Sequence, residues 1–476
     1  MTTPSVPLYG EHTRLAVENF DASGVVFPLP VVHAVARIKA AAAGVLCDLV
    51  PERLPSPIAE AIATACEEIR TGAWDDQFVV DVFQTGSATS THMNVNEVVA
   101  ARAEQLLDGT PVHPIDHVNL GQSSNDVMPS GSRIAVLEAA NRLVSALARL
   151  ERELGLHEVN SRHVVKVGRT HMQDAVPITL GQEFGGYRQQ VVDGRSRIDS
   201  LMANLGRLPL GGTAVGNGLN APPGYAERAI HELAVSTGLD LTPCPNHFAL
   251  QGAHDDLVDL SGRAKTVACS LDKIANDLRL MASGPTAGLG EIELPELQPG
   301  SSIMPGKVNP VIPEVVNQIV ARVIGNDAGI THAGSRGALE LNTYLPLIVH
   351  DLLDSLDLLT AAADMLAEKV VAKVVPHLER CRALAEGSQA IVTALAPLIG
   401  YDAAAVAQRD ARASGEELVD LVADRHGIDE AVLRDAVDLF TMALGTVEYS
   451  RPALPFEDPD VPTGLLAPDE RGMIGP

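Results

Sequence analysis

Long stripes of apolar residues dominate the middle of the chain. In residues 134–154, 257–281 and 345–366, apolar side chains recur every three or four positions. This spacing puts them on one face of an α-helix, and long apolar faces require partner helices. Segments with the alternation of a β-strand are scarce, so we expect short strands only near the ends of the chain. The pattern predicts an all-α protein with a long central helical bundle.

The distribution of the stripes divides the chain into three regions. Polar motifs and short segments fill an N-terminal domain at residues 1–133, and the long stripes form a central bundle domain at 134–394. A C-terminal domain at 395–476 has shorter helical segments. Its last 26 residues contain six prolines, and this composition excludes a helix there. We expect this Pro-rich tail to be loose or to wrap around a neighbour.

Composition and charge narrow the class of protein. The 476 residues are 46% hydrophobic, enough for a large core, and carry a formal net charge of -26. So acidic a chain is a poor partner for nucleic acid or for an anionic membrane surface. The N-terminus MTTPSVPLYGEH lacks the layout of a secretory signal, and the five cysteines show no paired spacing. We therefore expect a cytoplasmic protein without disulfides.

Four polar stretches interrupt the apolar scaffold, and they are the candidate places for chemistry. They are QTGSATSTHMNVNE at 84–97, GQSSND at 121–126, GRTHMQD at 168–174 and PGSSIMPGKVNP at 299–310. Glycines and prolines in the last stretch predict a loop whose backbone can move or approach a ligand closely. Each stretch alone is typical of helix caps or turns. Four of them on one chain favour a binding site.

Metal and nucleotide sites are poorly supported by these residues. His113 and His117 are separated by Pro114 and have no third ligand nearby, so a zinc pair is not expected. Five residues separate Gly300 from Gly306, whereas a phosphate-binding loop has four. The run GGTAVGNG at 211–218 lacks dinucleotide-binding spacing, and we interpret it as a tight turn between helices.

The remaining polar groups suit a small carboxylate substrate. Hydroxyls and amides can orient carboxylate oxygens, and one ammonium can stabilise negative charge that develops in a transition state. Lys307 is the cation of the 299–310 loop. The neutral donors are Thr89, Ser123, Ser124, Asn125, Thr170 and Asn309.

The stretch GSSIMPGKVNP matches the signature of the fumarase/aspartase superfamily, and the other three stretches are similar to that family's remaining conserved regions, in the same order. The resemblance runs from YGEHTRLAVENF at 9–20 to about residue 445. It implies a lyase without metal or organic cofactor, assembled as a homotetramer with a 20-helix core. Loops from three subunits would form each active site, and the 299–310 loop would be a mobile catalytic lid.

The resemblance also implies a role for each matching residue. Ser301 would remove a proton from Cβ of malate, while Lys307 and Asn309 would bind the neighbouring carboxylate and stabilise an aci-carboxylate intermediate. His171, paired with Glu314, would assist at the hydroxyl or water. The residues implied to bind the substrate are Ser87, Thr89, Ser123, Ser124, Asn125 and Thr170, together with Lys307 and Asn309.

Two activities within this family remain open. Ser87, Ser124 and the runs GGTAVG and GALELN resemble members that hydrate fumarate reversibly to L-malate. The runs NPVIPEVVNQ and AVENF resemble aspartate ammonia-lyases, which convert L-aspartate to fumarate and ammonia. Positions expected to face the pocket favour fumarate hydration. A catalytically silent binding homologue is a third alternative, and the intact set of implied catalytic residues argues against it.

Four positions depart from the family pattern. Ala88 replaces a usual Gly, and His92 replaces a usual Asn, both beside Thr89. Asn217 replaces a usual Thr. Ile115 replaces the Asn of a second dicarboxylate site near the active-site entrance of some members, so we do not expect that site here.

Overall fold

The computed structural model describes residues 7–445. The chain divides into two compact units, residues 1–388 and 389–476. The division into three domains at 133 and 394 stays a prediction. The Pro-rich tail predicted for the last 26 residues lies outside the described residues.

Helices make up most of the first unit, and they differ widely in length. They are α1 (Glu11–Asn19), α2 (Leu29–Leu49), α3 (Ser56–Arg70), α4 (Thr89–Leu106), α5 (Ser124–Asn160), α6 (Leu180–Asp199), α7 (Met202–Leu205), α8 (Tyr225–Thr237), α9 (His247–Gly252), α10 (Asp255–Met281), α11 (Val311–Gly334), α12 (Leu345–Asp364) and α13 (Leu378–Glu386). A π-helical segment, Met365–Val370, continues α12, and 3-10 turns lie at Asp75–Gln77 and Val371–Lys373.

The central bundle is formed by α5, α6, α10, α11 and α12, which pack against one another. The three predicted stripes lie on α5, α10 and α12, and their apolar residues are buried: Leu143, Leu271 and Leu352 are each 0% exposed. Close packing of such faces removes apolar surface from water and stabilises the fold. The predicted all-α fold with a long central bundle is confirmed.

Short strands occur in three pairs. They are β1 (Val165–Thr170), β2 (Gln173–Thr179), β3 (Arg207–Leu208), β4 (Thr242–Pro243), β5 (Ile292–Glu293) and β6 (Val375–Pro376). β1 pairs with β2 and β5 with β6 antiparallel, and β3 with β4 parallel. The prediction of strands only near the chain ends is wrong. The longest pair, β1–β2, is a local hairpin in the middle of the chain, and strands this short leave little periodic signal.

One helix of the described residues, α2, is long and apolar enough by length and composition to cross a membrane. Within its most apolar window 61% is buried inside the protein, where α2 packs on α3, α5 and α8. A core helix of a soluble protein has the same properties.

The second unit has its own helices and its own small core. After a 3-10 segment, Gln389–Ala394, come α14 (Ala396–Ile399), α15 (Tyr401–Ser414), α16 (Leu418–His426), α17 (Glu430–Ala436) and α18 (Leu439–Leu444). Leu395, Val422 and Leu433 are fully buried at its centre.

Candidate active site

Two helix N-termini meet at the first candidate cluster. Thr89 begins α4 and Ser124 begins α5, and their hydroxyl oxygens are 2.7 Å apart. The Ser87 hydroxyl lies 2.7 Å from that of Thr89. Ala88, between them, has a left-handed backbone with φ of 56°, which turns the chain sharply into α4. The three hydroxyls therefore form a chain at the positive ends of two helix dipoles, a favourable place for an anion.

The N-terminus of α5 is fixed by a capping box. The Ser123 hydroxyl accepts from Asn125 N at 3.2 Å, and the Asp126 carboxylate accepts from Ser123 N at 2.9 Å. The Asn125 side-chain amide donates to Ala214 O at 2.8 Å. The run Ser123–Asn125 is thus held in one orientation from both sides.

Asp126 joins this helix start to the loop at 211–218. Its carboxylate also accepts from Gly211 N at 2.9 Å and from Thr213 N at 3.0 Å. The loop, interpreted from sequence as a tight turn between helices, lies between β3 and α8 and is a structural support of the first cluster. Burial raises the pKa of Asp126, and the three backbone N–H donors and Lys39 oppose that rise.

Buried ionisable groups lie beneath the cluster. Lys39 is 0% exposed, and its ammonium donates to Asn119 Oδ1 at 2.8 Å. Burial lowers the pKa of Lys39 to about 7, while Asp126 and Cys66 act in the opposite direction. His92 is buried too, and its pKa is lowered well below the usual value, first by burial and then by Lys39. Both effects favour a neutral imidazole at His92, three residues after Thr89 on α4.

Thr170 and His171 lie at the tip of the β1–β2 hairpin. Register pairs Thr170 with Gln173, so His171 and Met172 form a two-residue loop. Both loop residues have positive φ, 55° and 60°, as in the turns whose twist matches that of a hairpin. All four residues of the tip are exposed in the single chain. The hairpin thus presents the Thr170 and His171 side chains outward.

The 299–310 loop is a compact turn closed by its own hydrogen bonds. The Asn309 side-chain amide donates to Gly300 O at 2.7 Å. The Ser301 hydroxyl oxygen accepts from the backbone N–H groups of Ile303 and Met304, each at 3.2 Å. The Lys307 side chain is exposed.

Glycine is required at position 300 by the close approach of the loop to itself. A Cβ placed on Gly300 would lie 1.9 Å from Lys307 O, and such a contact is impossible without moving the backbone. Glu314 follows the loop on the first turn of α11 and is exposed.

The predicted site residues fall into three groups within one chain. The first contains Ser87, Thr89 and Ser123–Asn125, the second contains Thr170 and His171, and the third lies on the 299–314 segment. Within the described residues no hydrogen bond or ion pair joins one group to another, and His171 makes neither with Glu314.

Sequence reasoning missed the supports of these groups. Asp126 stands in the run GQSSND, where an acidic residue three positions after Ser123 could have indicated a capping box. Lys39 gave no such signal, and neither did Glu291, whose carboxylate accepts from Arg169 Nη1 at 2.9 Å next to Thr170. A single charge in a helical or loop segment usually lies in solvent.

Two family models together match most of the described chain, and residues 326–390 lie between the two matches. The lyase family model matches residues 1–325. A second model, the C-terminus of fumarase C, matches residues 391–443. The class is therefore that of the lyases of the fumarase/aspartase superfamily.

Relatives place the chain more narrowly. It is 46% identical to a class II fumarate hydratase of Mycobacterium tuberculosis over 91% of each chain, and 44% identical to one of Xylella fastidiosa over 94% of each chain. The chain belongs to the class II fumarate hydratase family.

Solved structures agree with this placement. The crystal structure of class II fumarase from Schistosoma mansoni superposes with a TM-score of 0.89 at 36% identity, covering 93% of this chain and 96% of that one. A fumarate lyase:delta crystallin of Brucella melitensis, crystallised bound to cobalt, gives 0.87 at 44% identity, covering 93% and 97%. A 3-carboxy-cis,cis-muconate lactonizing enzyme of Pseudomonas putida, at 22% identity and a TM-score of 0.71, shares the fold.

Proposed function

We propose that this protein is an enzyme that catalyses the reversible hydration of fumarate to L-malate. The observation that carries the proposal is the hydroxyl chain of Ser87, Thr89 and Ser124, with oxygens 2.7 Å apart, at two meeting helix N-termini. Neutral donors in that position orient a carboxylate without adding a fixed countercharge. Membership of the class II fumarate hydratase family supports the choice of a dicarboxylate substrate.

Ser301 acts as the base in the proposed reaction. It takes the proton from Cβ of malate, and the electron pair of the broken C–H bond moves into the neighbouring carboxylate to form an aci-carboxylate. The two backbone N–H groups aimed at the Ser301 oxygen support this role, because they stabilise negative charge on that oxygen. Lys307 and Asn309 bind the aci-carboxylate, whose extra negative charge develops only as the proton leaves.

The second half of the elimination occurs on the opposite side of the substrate. The C–O bond breaks, and the hydroxyl leaves as water with a proton supplied by His171, which Glu314 orients. The products are fumarate and water, with no change in oxidation state. A positioned base and charge stabilisation suffice for this chemistry, so we propose that no metal or organic cofactor takes part. Turnover that survives EDTA is the expected result, and loss of activity in EDTA would contradict it.

We infer a homotetramer with shared active sites. The single chain supplies five long helices, α5, α6, α10, α11 and α12, and four copies would give the 20-helix core implied by the resemblance. Within the described residues no hydrogen bond or ion pair joins the three groups, and this supports sites completed by other copies. The mass in solution should be about four times 50.1 kDa, and a stable, active monomer would exclude shared sites. The formal net charge of the chain is -26, and we therefore propose that it has no nucleic-acid or membrane partners. We also propose that the protein is cytoplasmic.

Substrate specificity decides between fumarate hydration and the aspartate ammonia-lyase alternative. Purified protein is incubated separately with L-malate, L-aspartate and argininosuccinate while fumarate absorbance is followed, with Ser301→Ala as the inactive control. Malate should yield fumarate, and aspartate should react more slowly by roughly 10⁴-fold, since buried donors built for a hydroxyl leave an ammonium poorly paired. Faster release of ammonia from aspartate would replace the fumarase assignment with the aspartase one.

A further inference from the structure

Four charged side chains form a buried network at the base of the β1–β2 hairpin. Lys166 and Arg169 lie on β1, Glu183 on α6, and Glu291 just before β5. The Lys166 ammonium is 2.5 Å from Glu183 Oε2 and 3.0 Å from Glu291 Oε2. Arg169 Nη1 is 2.9 Å from Glu291 Oε1. Two cations face two anions, so the network as a whole is neutral.

Glu291 is the most rigidly held member. Glu291 is 0% exposed, and both its backbone N–H and its backbone carbonyl form hydrogen bonds. Its N–H donates to Met281 O at 2.8 Å, and its carbonyl accepts from His377 N at 2.9 Å. The backbone of Glu291 is therefore fixed to the end of α10 and to the start of α13, a frame that does not belong to the hairpin.

Arg169 connects this frame to the site residues. It directly precedes Thr170, the last residue of β1, which His171 follows in the hairpin loop, and its side chain is 16% exposed. The residues of the hairpin tip, 170–173, are exposed. The Arg169–Glu291 ion pair thus fixes the strand at the last residue before the tip.

We propose that Glu291 is a positioning residue that acts through Arg169 to hold Thr170 and His171 in the orientation required by the substrate. The inference rests on the proposed function for its effect on turnover. A displacement of about 1 Å at a catalytic group can lower the rate about 100-fold. Glu291 itself touches no substrate, because it is buried behind β1.

The test uses two variants and a matched control in the full-length protein. Glu291→Gln keeps the shape of the side chain but leaves a net positive charge in a buried place, which destabilises the fold. Combining Glu291→Gln with Arg169→Gln restores charge balance, because Lys166 still faces Glu183. Glu293→Gln is the control: it lies two residues further on, on β5, and its side chain is 68% exposed.

Three measurements are made on each variant: Tm, kcat and KM for L-malate, and hydrogen–deuterium exchange of peptides within 165–179. We expect Glu291→Gln to lower Tm and to lower kcat about 100-fold, with KM changed less. The charge-balanced double variant should recover Tm but not kcat, and the hairpin should exchange faster in both. Glu293→Gln should match the wild type in all three.

Recovery of kcat together with Tm in the double variant would overturn the proposal, since Glu291 would then serve stability alone. Unchanged exchange of the hairpin in both variants would overturn it as well. If the wild-type protein failed to convert malate, the proposed function would be wrong, yet the exchange measurement would still decide whether Glu291 holds the hairpin.

Discussion

Lys39 is a fully buried lysine, and its titration makes the stability of this protein depend on pH with a defined sign. Burial lowers the pKa of Lys39 from 10.5 to about 7. Between those two pH values the unfolded chain binds one more proton at this residue than the folded chain does. The free energy of unfolding therefore rises with pH across this window. The gain is lost progressively as pH falls from 10.5 toward 7, and Lys39 changes stability little below that range.

The size of the rise follows from the shift. Each pH unit above the folded pKa is worth about 1.4 kcal/mol. Because Lys39 is half-titrated near pH 7, the gain between pH 7 and pH 9 is roughly 2 kcal/mol. The pKa values of buried His92 and His254 are lowered, so these histidines act at lower pH. Burial raises the pKa of Cys66 to about 12, and this thiol reduces stability only as pH rises past its unfolded value near 9.

Urea unfolding at pH 7, 8 and 9 measures the effect, with all samples at one protein concentration because assembly shifts apparent stability. Lys39→Met removes the titrating group and keeps much of its volume. The wild type should gain roughly 2 kcal/mol over this range, and Lys39→Met should lose that gain. Lys373→Met, at an exposed lysine of the same unit, should keep it. An equal gain in Lys39→Met and the wild type would refute the assignment.

Three further predictions concern single residues. Ser301→Ala should lower kcat for malate by at least about 100-fold while KM changes by less than about tenfold, because a general base acts on the transition state. A nearly normal kcat in steady-state assays would remove Ser301 from the mechanism. Gly300→Ala should strongly reduce activity without a change in Tm, since the added Cβ would lie 1.9 Å from Lys307 O and distort only the 299–310 loop. Wild-type turnover of this variant would show that the loop functions in another shape. Ala88→Gly should raise the free energy of unfolding in urea by about 1 kcal/mol, because Ala88 has φ of 56° and a left-handed backbone strains any residue with a Cβ; a loss of stability would contradict that.

The sequence proposed the members of the candidate site but not the residues that support them, and the roles of those members stay a prediction. The polar stretches stood out in the sequence because Ser, Thr, Asn and Gly interrupt apolar helical stripes. The capping box of Asp126 with Ser123 is local, but its other bonds, to Gly211 and Thr213, reach far along the chain. Glu291 did not stand out, because its partner Arg169 is also far away in the chain. Such pairings arise from tertiary packing and leave no local pattern.

The sequence by itself determined the family and three of the long helices, α5, α10 and α12. A stripe repeated every three or four residues over 257–281 can bury its apolar face only as a helix, and α10 (Asp255–Met281) follows that stripe closely. The β1–β2 hairpin was decided differently. A six-residue strand has too few positions to show the two-residue alternation of a β-strand in the sequence. Its position in the middle of the chain was therefore visible only in the structure.

Tertiary structure alone decided which polar groups meet. Thr89 and Ser124 are 35 residues apart, and the turn at Ala88 brings their hydroxyls together where α4 and α5 begin. Tertiary structure also decided which charges are buried. Lys39 lies among apolar neighbours on α2, and only packing by the helices around it removes its ammonium from water. Local sequence fixes periodicity because it acts between neighbours along the chain, whereas burial and long-range pairing depend on how separate elements pack.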